Sequence, residues 1–271
     1  MNLLKSLLYG FVSGVSEFLP ISSQGHQILF QELFGNDYVN PALQLVIRLS
    51  TLAALVLCCA TTIIHFRVNL QDRVNVRRKQ NFTDHAFYDL QFVKNASLPL
   101  ALIMALCMVV YRPVHHPIFL GLCFLLNGLI LYLPSRFIRA NKNSRLMSRF
   151  DSILVGLFGA LSIFPGISRI ACTTSMASFR GADFRESYNW SLLIGIPVLI
   201  VLAVFDIIAT VGYTGVSVGF WPCFIAAVGS LLGSLLSITL MRSLTSKTDI
   251  SGFFYYSLGA AMLSIILYMI V

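Results

Sequence analysis

Residues 17–26 read EFLPISSQGH and sit inside an otherwise apolar stretch, 1–35. A plain membrane anchor needs no glutamate, proline, serine pair, glycine or histidine, and each is costly in lipid. Pro20 ends a helix because it lacks a backbone N–H, and Gly25 favours a further interruption. The stretch therefore reads as a helix broken within the membrane. A second stretch, 150–180, breaks in the same manner at Pro165-Gly166.

Composition sets the frame for these breaks. The chain has 271 residues, of which 57% are apolar and 11% charged, with a mean hydropathy of +0.80. A soluble domain carries about 25% charge. The chain reads as an integral membrane protein, one polytopic domain over 1–271. Its formal charge of +8 would suggest nucleic acid for a soluble protein. Here the basic residues cluster between apolar runs, a topology signal, and no nucleic-acid partner is expected. The six cysteines (Cys58, Cys59, Cys107, Cys123, Cys172, Cys223) lie in apolar stretches without a C-x-x-C pair. They read as small hydrophobes rather than as disulfide or metal ligands. The N-terminal run contains Glu17 and lacks a small-x-small site, so it does not read as a cleaved signal.

Spanning takes about 20 apolar residues, and six windows qualify: 41–65, 96–112, 117–134, 190–211, 219–240 and 252–271. The loops 66–95 and 135–149 hold most of the basic residues, among them Arg77, Arg78, Lys79, Arg139, Lys142 and Arg145. The positive-inside rule makes both cytoplasmic. If 150–180 dips in and returns, Arg180, Arg185, Arg242 and Lys247 are cytoplasmic too. The same logic makes 1–35 re-entrant from outside and puts both termini outside. The expected fold is all-α and polytopic, with about six transmembrane helices plus two re-entrant helix pairs. Pro20-Ile21-Ser22-Ser23 echoes Pro165-Gly166-Ile167-Ser168 near half the chain length. That predicts an inverted-topology repeat, 1–135 against 150–271.

The breaks carry the chemistry. Ser22, Ser23 and Ser168 are natural N-caps for new half-helices. Two half-helix N-termini pointing to the membrane centre make an anion site, and phosphate is the commonest anion to use one. Arg169, beside Ser168, suits phosphate oxygens, and Arg48 lies within the next span. His26 can act as acid, base or nucleophile, and Glu17 can orient it or bind a divalent cation. Thr173, one turn beyond Arg169, adds a hydroxyl. Asp206 and Asn127, polar within spans, read as interhelical hydrogen-bonding or interfacial groups. His115 and His116 read as solvated in an external turn.

EFLPISSQGH resembles the first signature of the bacitracin-resistance type of undecaprenyl-diphosphate phosphatase, and FPGISRIACT resembles the second. The likeness covers essentially the whole chain. It implies a homodimeric hydrolase of the bacterial inner membrane with its site facing outside. Such an enzyme takes a polyprenyl diphosphate to the monophosphate and so recycles the cell-wall lipid carrier, supported by Mg2+ or Ca2+. By that resemblance Glu17, Ser23, His26 and Arg169 are catalytic, Ser168 and Thr173 bind substrate, and Glu17 is the metal ligand; from their places at the breaks and in the next span, Ser22, Gly166 and Arg48 are expected to bind substrate as well.

Four positions depart from the pattern. Ser13 replaces the first acid of an i, i+4 pair that would share a cation. Ile170 and Ala171 replace Ser-Gly, and Arg48 stands where Gln is common. The pocket loses a negative charge and gains a positive one, so Arg48 is expected to stand in for the metal, making the cation dispensable. A polyprenyl-phosphate transporter is the alternative reading. Retention of His26 beside Glu17, Ser23, Ser168 and Arg169 favours the enzyme.

Overall fold

The computed structural model describes residues 2–35, 40–75, 85–110, 116–137, 147–215, 218–245 and 251–270. Arg77, Arg78, Lys79, His115, Arg139, Lys142, Arg145 and Lys247 lie outside them. Ten α-helices follow one another among the described residues: α1 (Leu3–Phe18), α2 (Ser23–Phe34), α3 (Pro41–Asn75), α4 (His85–Val110), α5 (Pro117–Phe137), α6 (Arg149–Gly159), α7 (Arg169–Phe179), α8 (Phe184–Val211), α9 (Phe220–Thr245) and α10 (Phe253–Ile270). A 3-10 turn, Ala160–Ile163, follows α6.

Five of these helices hold stretches long and apolar enough to cross a membrane: Pro41–Ile64, Asp89–Val110, Pro117–Pro134, Phe184–Val211 and Phe220–Thr245. α10 carries a shorter apolar stretch, Phe253–Leu267. Leu102, Leu106 and Val109 form one stripe of α4 and are 62%, 65% and 73% exposed. So apolar a surface suits lipid and not water. α3 and α4 overrun the apolar windows, so that much of the 66–95 segment is helical. Polar side chains end the hydropathy signal there without ending the backbone hydrogen bonding.

Both interrupted segments are helix–break–helix units, and the break in the first is shorter than expected. It lies between Phe18 and Ser23, while Gly25 belongs to the first turn of α2. Glycine is needed at 25 for space. A Cβ there would lie 2.6 Å from the Phe124 ring and 3.0 Å from the Gly166 Cα. The N-caps are Ser22 and Ser168, each accepting from the backbone N–H three residues on, at 3.3 Å in both cases. Ser23 is the first helical residue rather than a cap.

Helix pairing follows a rule. α1 packs on α9 and α6 on α4; α3 packs on α9 and α8 on α4; α3 meets α8 and α5 meets α10. Exchanging each helix for the one five places along maps these pairings onto themselves. The α1–α9 contact is close because both faces are small, as is usual where lipid supplies no hydrophobic drive. A Cβ at Gly10 would lie 2.0 Å from the Ala226 carbonyl oxygen, and one at Gly14 2.2 Å from that of Ser230. In the counterpart contact, a Cβ at Gly156 would lie 2.1 Å from the Ala96 carbonyl oxygen.

Candidate functional site

The two breaks meet tip to tip, and each satisfies the other's backbone. The Ser22 hydroxyl accepts from the Gly166 N–H at 3.1 Å. The Ser168 hydroxyl donates to the Leu19 carbonyl at 3.4 Å. Asn127 of α5 joins both, since its amide donates to the Pro20 carbonyl at 2.9 Å and its oxygen accepts from the Ser168 N–H at 2.8 Å. It is fully buried and also donates to the Ser257 hydroxyl at 3.1 Å. The interhelical reading of Asn127 holds, and the helices it joins include both tips. These bonds hold Ser22 at φ +70°, a conformation costly for a residue with a Cβ. Asn127→Ala leaves a buried N–H and a buried carbonyl unpaired, at about 1–3 kcal/mol each. We expect a clearly lowered Tm in detergent micelles; an unchanged Tm would remove Asn127 from this role.

Around the joined tips lies a cavity of about 60 Å3. Ser13, Ser16 and Glu17 line it from α1, and Ser22, Ser23, Gln24 and Gln27 from the first break and α2. Gln44, Arg48 and Thr51 line it from α3, and Ser162, Ile167, Ser168 and Arg169 from the second break. The first turns of α2 and α7 both border it, so two helix N-termini contribute partial positive charge.

Arg169 is buried and every contact holds it in place. Its Nη1 donates to the Ser191 carbonyl at 3.0 Å, and its Nη2 faces Glu17 Oε1 at 3.4 Å. A Cβ at Gly195 would lie 2.5 Å from Nη1, so that glycine makes room for the guanidinium. Behind it, the Thr173 hydroxyl donates to the Arg169 carbonyl at 2.8 Å and is hydrogen-bonded to the Ser191 hydroxyl. Thr173 is buried and outside the cavity lining. Its hydroxyl is engaged with the Arg169 carbonyl and with Ser191. Gly166 likewise serves the break: its φ is +99° and a Cβ would lie 2.7 Å from that of Cys123.

Arg48 reaches the cavity wall but forms an ion pair with Asp206 of α8. Asp206 is thus the interhelical partner expected of it. Ser23 borders the cavity, its hydroxyl donating to the Ser13 carbonyl at 3.3 Å. Ser13 itself turns its hydroxyl back to the Tyr9 carbonyl at 2.7 Å.

His26 stands apart from this group. Its Nδ1 lies 2.7 Å from the Ser22 carbonyl and its Nε2 2.7 Å from the Tyr256 hydroxyl. Its ring stacks on Tyr256 and meets Phe124 edge-on. It does not line the cavity, and the partner of Glu17 is Arg169. Glu17 therefore does not orient His26. Sequence proximity suggested that pair, but the ring leaves α2 toward α10. The reading from sequence passed over Gln24, Gln27, Gln44, Ser191 and Gly195. The glutamines had a signal, as amides within or beside apolar runs; Gly195 had none.

The donor set does not suit a divalent cation. Among the described residues Glu17 is the one acid lining the cavity, and it faces a guanidinium. Among the described residues no group of three or more His, Cys, Asp or Glu side chains converges. A hard cation prefers several oxygen ligands and tolerates an adjacent positive charge poorly. The described cysteines are all free, in keeping with small apolar roles.

Comparison with known proteins adds a family. The family model described as Bacitracin resistance protein BacA matches residues 6–263. The chain is 30% identical to Undecaprenyl-diphosphatase 1 of Shouchella clausii (strain KSM-K16), over 97% of this chain and 95% of the relative. It is 26% identical to an undecaprenyl-diphosphatase of Prochlorococcus marinus (strain MIT 9515), over 98% and 99%. With one of Cutibacterium acnes (strain DSM 16379 / KPA171202) it shares 25%, over 98% and 96%.

Proposed function

This chain belongs to the BacA bacitracin-resistance family, and from that premise we propose that it is an integral membrane undecaprenyl-diphosphatase. It hydrolyses a polyprenyl diphosphate to the monophosphate and so returns the lipid carrier to cell-wall precursor synthesis. The observation that carries this reading is Arg169. It is a buried guanidinium at the wall of a cavity that the first turns of α2 and α7 both border, with the Glu17 carboxylate opposite. Phosphoryl transfer asks mainly for positioning and charge stabilisation, and this cavity offers both.

The terminal phosphate enters between the first turns of α2 and α7, next to Arg169. Glu17, the only acid at the cavity among the described residues, takes a proton from water as the water oxygen attacks the terminal phosphorus. The phosphorus–oxygen bond to the bridging oxygen breaks. Inorganic phosphate and the lipid monophosphate leave, the latter carrying the electron pair. Ser23 donates its hydroxyl to a phosphate oxygen. His26 holds the Ser22 break in place and does not act as the base. Arg48 is shared between Asp206 and the incoming diphosphate. No divalent cation is required at the protein's own ligands.

The two broken segments are re-entrant helix pairs, and the halves 1–135 and 150–271 form an inverted repeat. The self-mapping helix pairings support that reading, as does the odd count of three described helices, α3–α5 and α8–α10, after each broken unit. The basic loops, read as cytoplasmic, support a cavity mouth and both termini outside the bacterial inner membrane. The protein functions as a homodimer.

The test is phosphate release from C55 diphosphate by the purified protein with Mg2+, with Ca2+ and with EDTA. Release is expected in all three. Release that stops with EDTA would overturn the metal-free site, and absence of release under every condition would overturn the phosphatase. Glu17→Gln is expected to lower kcat by about 100- to 10,000-fold, in the range of a lost general base. Trapping of a phosphorylated Ser23 would replace water as the nucleophile.

A further inference from the structure

A second cavity, of about 400 Å3, lies along the α3–α8 pair on the far side of Arg169 from Arg48. It shares no residue with the first. Its walls come from α3, α4, α8 and α9, and run from the exposed Arg185 to a floor of buried Cys59 and Trp190.

Four charged side chains line it, Arg185, Arg242, Asp89 and Glu186; Glu186 is engaged in an interaction of its own, and the other three do not pair with one another. The Arg185 side chain has no hydrogen-bond or ion-pair partner among the described residues. Arg242 spends Nη2 on the Cys58 carbonyl at 3.1 Å, with the Cys59 sulfur at 3.9 Å, and has no carboxylate partner among the described residues. Asp89 accepts from Trp190 Nε1 at 2.9 Å and has no cationic partner among the described residues. Within or beside a membrane, unpaired guanidinium and carboxylate groups around one cavity are expensive unless something joins them.

A simple anion there would meet Asp89, and a simple cation would meet two arginines. A ligand carrying both signs satisfies all three. We infer that this cavity binds the head of a zwitterionic aminophospholipid, its phosphate on Arg185 and Arg242 and its ammonium on Asp89. Guanidinium groups suit phosphate oxygens. The Trp190 ring beside Asp89 adds a face that attracts ammonium. The cavity opens where basic residues cluster at the ends of α8 and α9, the level of lipid headgroups.

The full-length protein in detergent is titrated with phosphatidylethanolamine, phosphatidylcholine, phosphatidylglycerol and soluble O-phosphoethanolamine, with bound lipid read by native mass spectrometry. Phosphatidylethanolamine is expected to bind at least tenfold tighter than phosphatidylglycerol. Phosphatidylcholine falls between them, because a methylated ammonium cannot donate to Asp89. Arg185→Gln and Arg242→Gln each weaken phosphatidylethanolamine at least fivefold, and Asp89→Asn reverses the preference toward phosphatidylglycerol. Unchanged phosphate release by Arg185→Gln shows that this exposed variant is folded. Equal or tighter binding of phosphatidylglycerol to the unaltered protein would overturn the proposal. So would unchanged phosphatidylethanolamine binding in both Arg185→Gln and Asp89→Asn. Soluble phosphoethanolamine competing at the affinity of the lipid would overturn the lipid as its source.

Discussion

Arg169→Ala is expected to lower kcat/KM for the lipid diphosphate by about 1,000-fold, the scale on which removing a preorganised charged donor acts. The guanidinium is aimed before any ligand arrives, by the Ser191 carbonyl, by Glu17 and by the space at Gly195. No reorganisation is then needed as charge develops on the phosphate. Removing it also leaves Glu17 without its counter-charge, which for a buried pair costs about 3–5 kcal/mol. The alanine variant therefore loses both stability and turnover. Arg169→Lys separates the two effects. It keeps the charge beside Glu17 but loses the planar fork, so it is expected to retain the wild-type Tm within a few degrees while losing about 10- to 100-fold in kcat/KM. Steady-state phosphate release, together with thermal unfolding in the same detergent, reads both. A lysine variant with full activity would show that charge alone suffices.

Gly14→Ala is expected to disturb the fold at the α1–α9 contact. Its new methyl would stand 2.2 Å from the Ser230 carbonyl oxygen, which is backbone and cannot rotate away. α1 must move off α9. The Ser234 hydroxyl, which donates to the Gly14 carbonyl at 3.4 Å, loses its acceptor as it does so. Overpacking of this kind costs about 1–3 kcal/mol and sometimes more. The displacement also carries Ser13, Ser16 and Glu17 out of the cavity wall. A lowered Tm, a broadened size-exclusion profile and loss of phosphate release are expected together. Gly259→Ala, where a Cβ meets nothing within 4 Å, should behave as wild type. If both variants retained the wild-type Tm, the close α1–α9 contact would not be limiting.

What the sequence disclosed was local. Pro20 and Pro165-Gly166 each mark a helix break, because ring geometry and glycine freedom act within a turn. Ser22 and Ser168 were readable as caps for the same reason. The long apolar runs of α3, α5, α8 and α9 stood out by hydropathy. Side-chain direction was not legible. Glu17 and His26 are nine residues apart in the chain, yet one faces Arg169 and the other Tyr256. Arg48 was noticed as a charge, but its partner Asp206 lies 158 residues away, and nothing local ties them. Gly10, Gly14, Gly229 and Gly233 show a small-xxx-small spacing that could have placed α1 against α9. Gly195 had no such pattern, since its task is to leave room for a side chain from another helix.

The pairing of α1 with α9 has a consequence for biosynthesis. α1 leaves the ribosome well before α9, the helix on which it mainly packs, so its partner does not yet exist when it reaches the membrane. At about 5–20 residues per second, α9 follows about ten to forty seconds later. Throughout that interval Glu17, Ser22 and Ser23 have neither Arg169 nor the Gly166 N–H to meet. The newborn N-terminal hairpin must wait at the headgroup layer or in the care of the insertion machinery. On the re-entrant reading proposed above, its polar tip enters the bilayer only once the second half of the chain arrives to receive it.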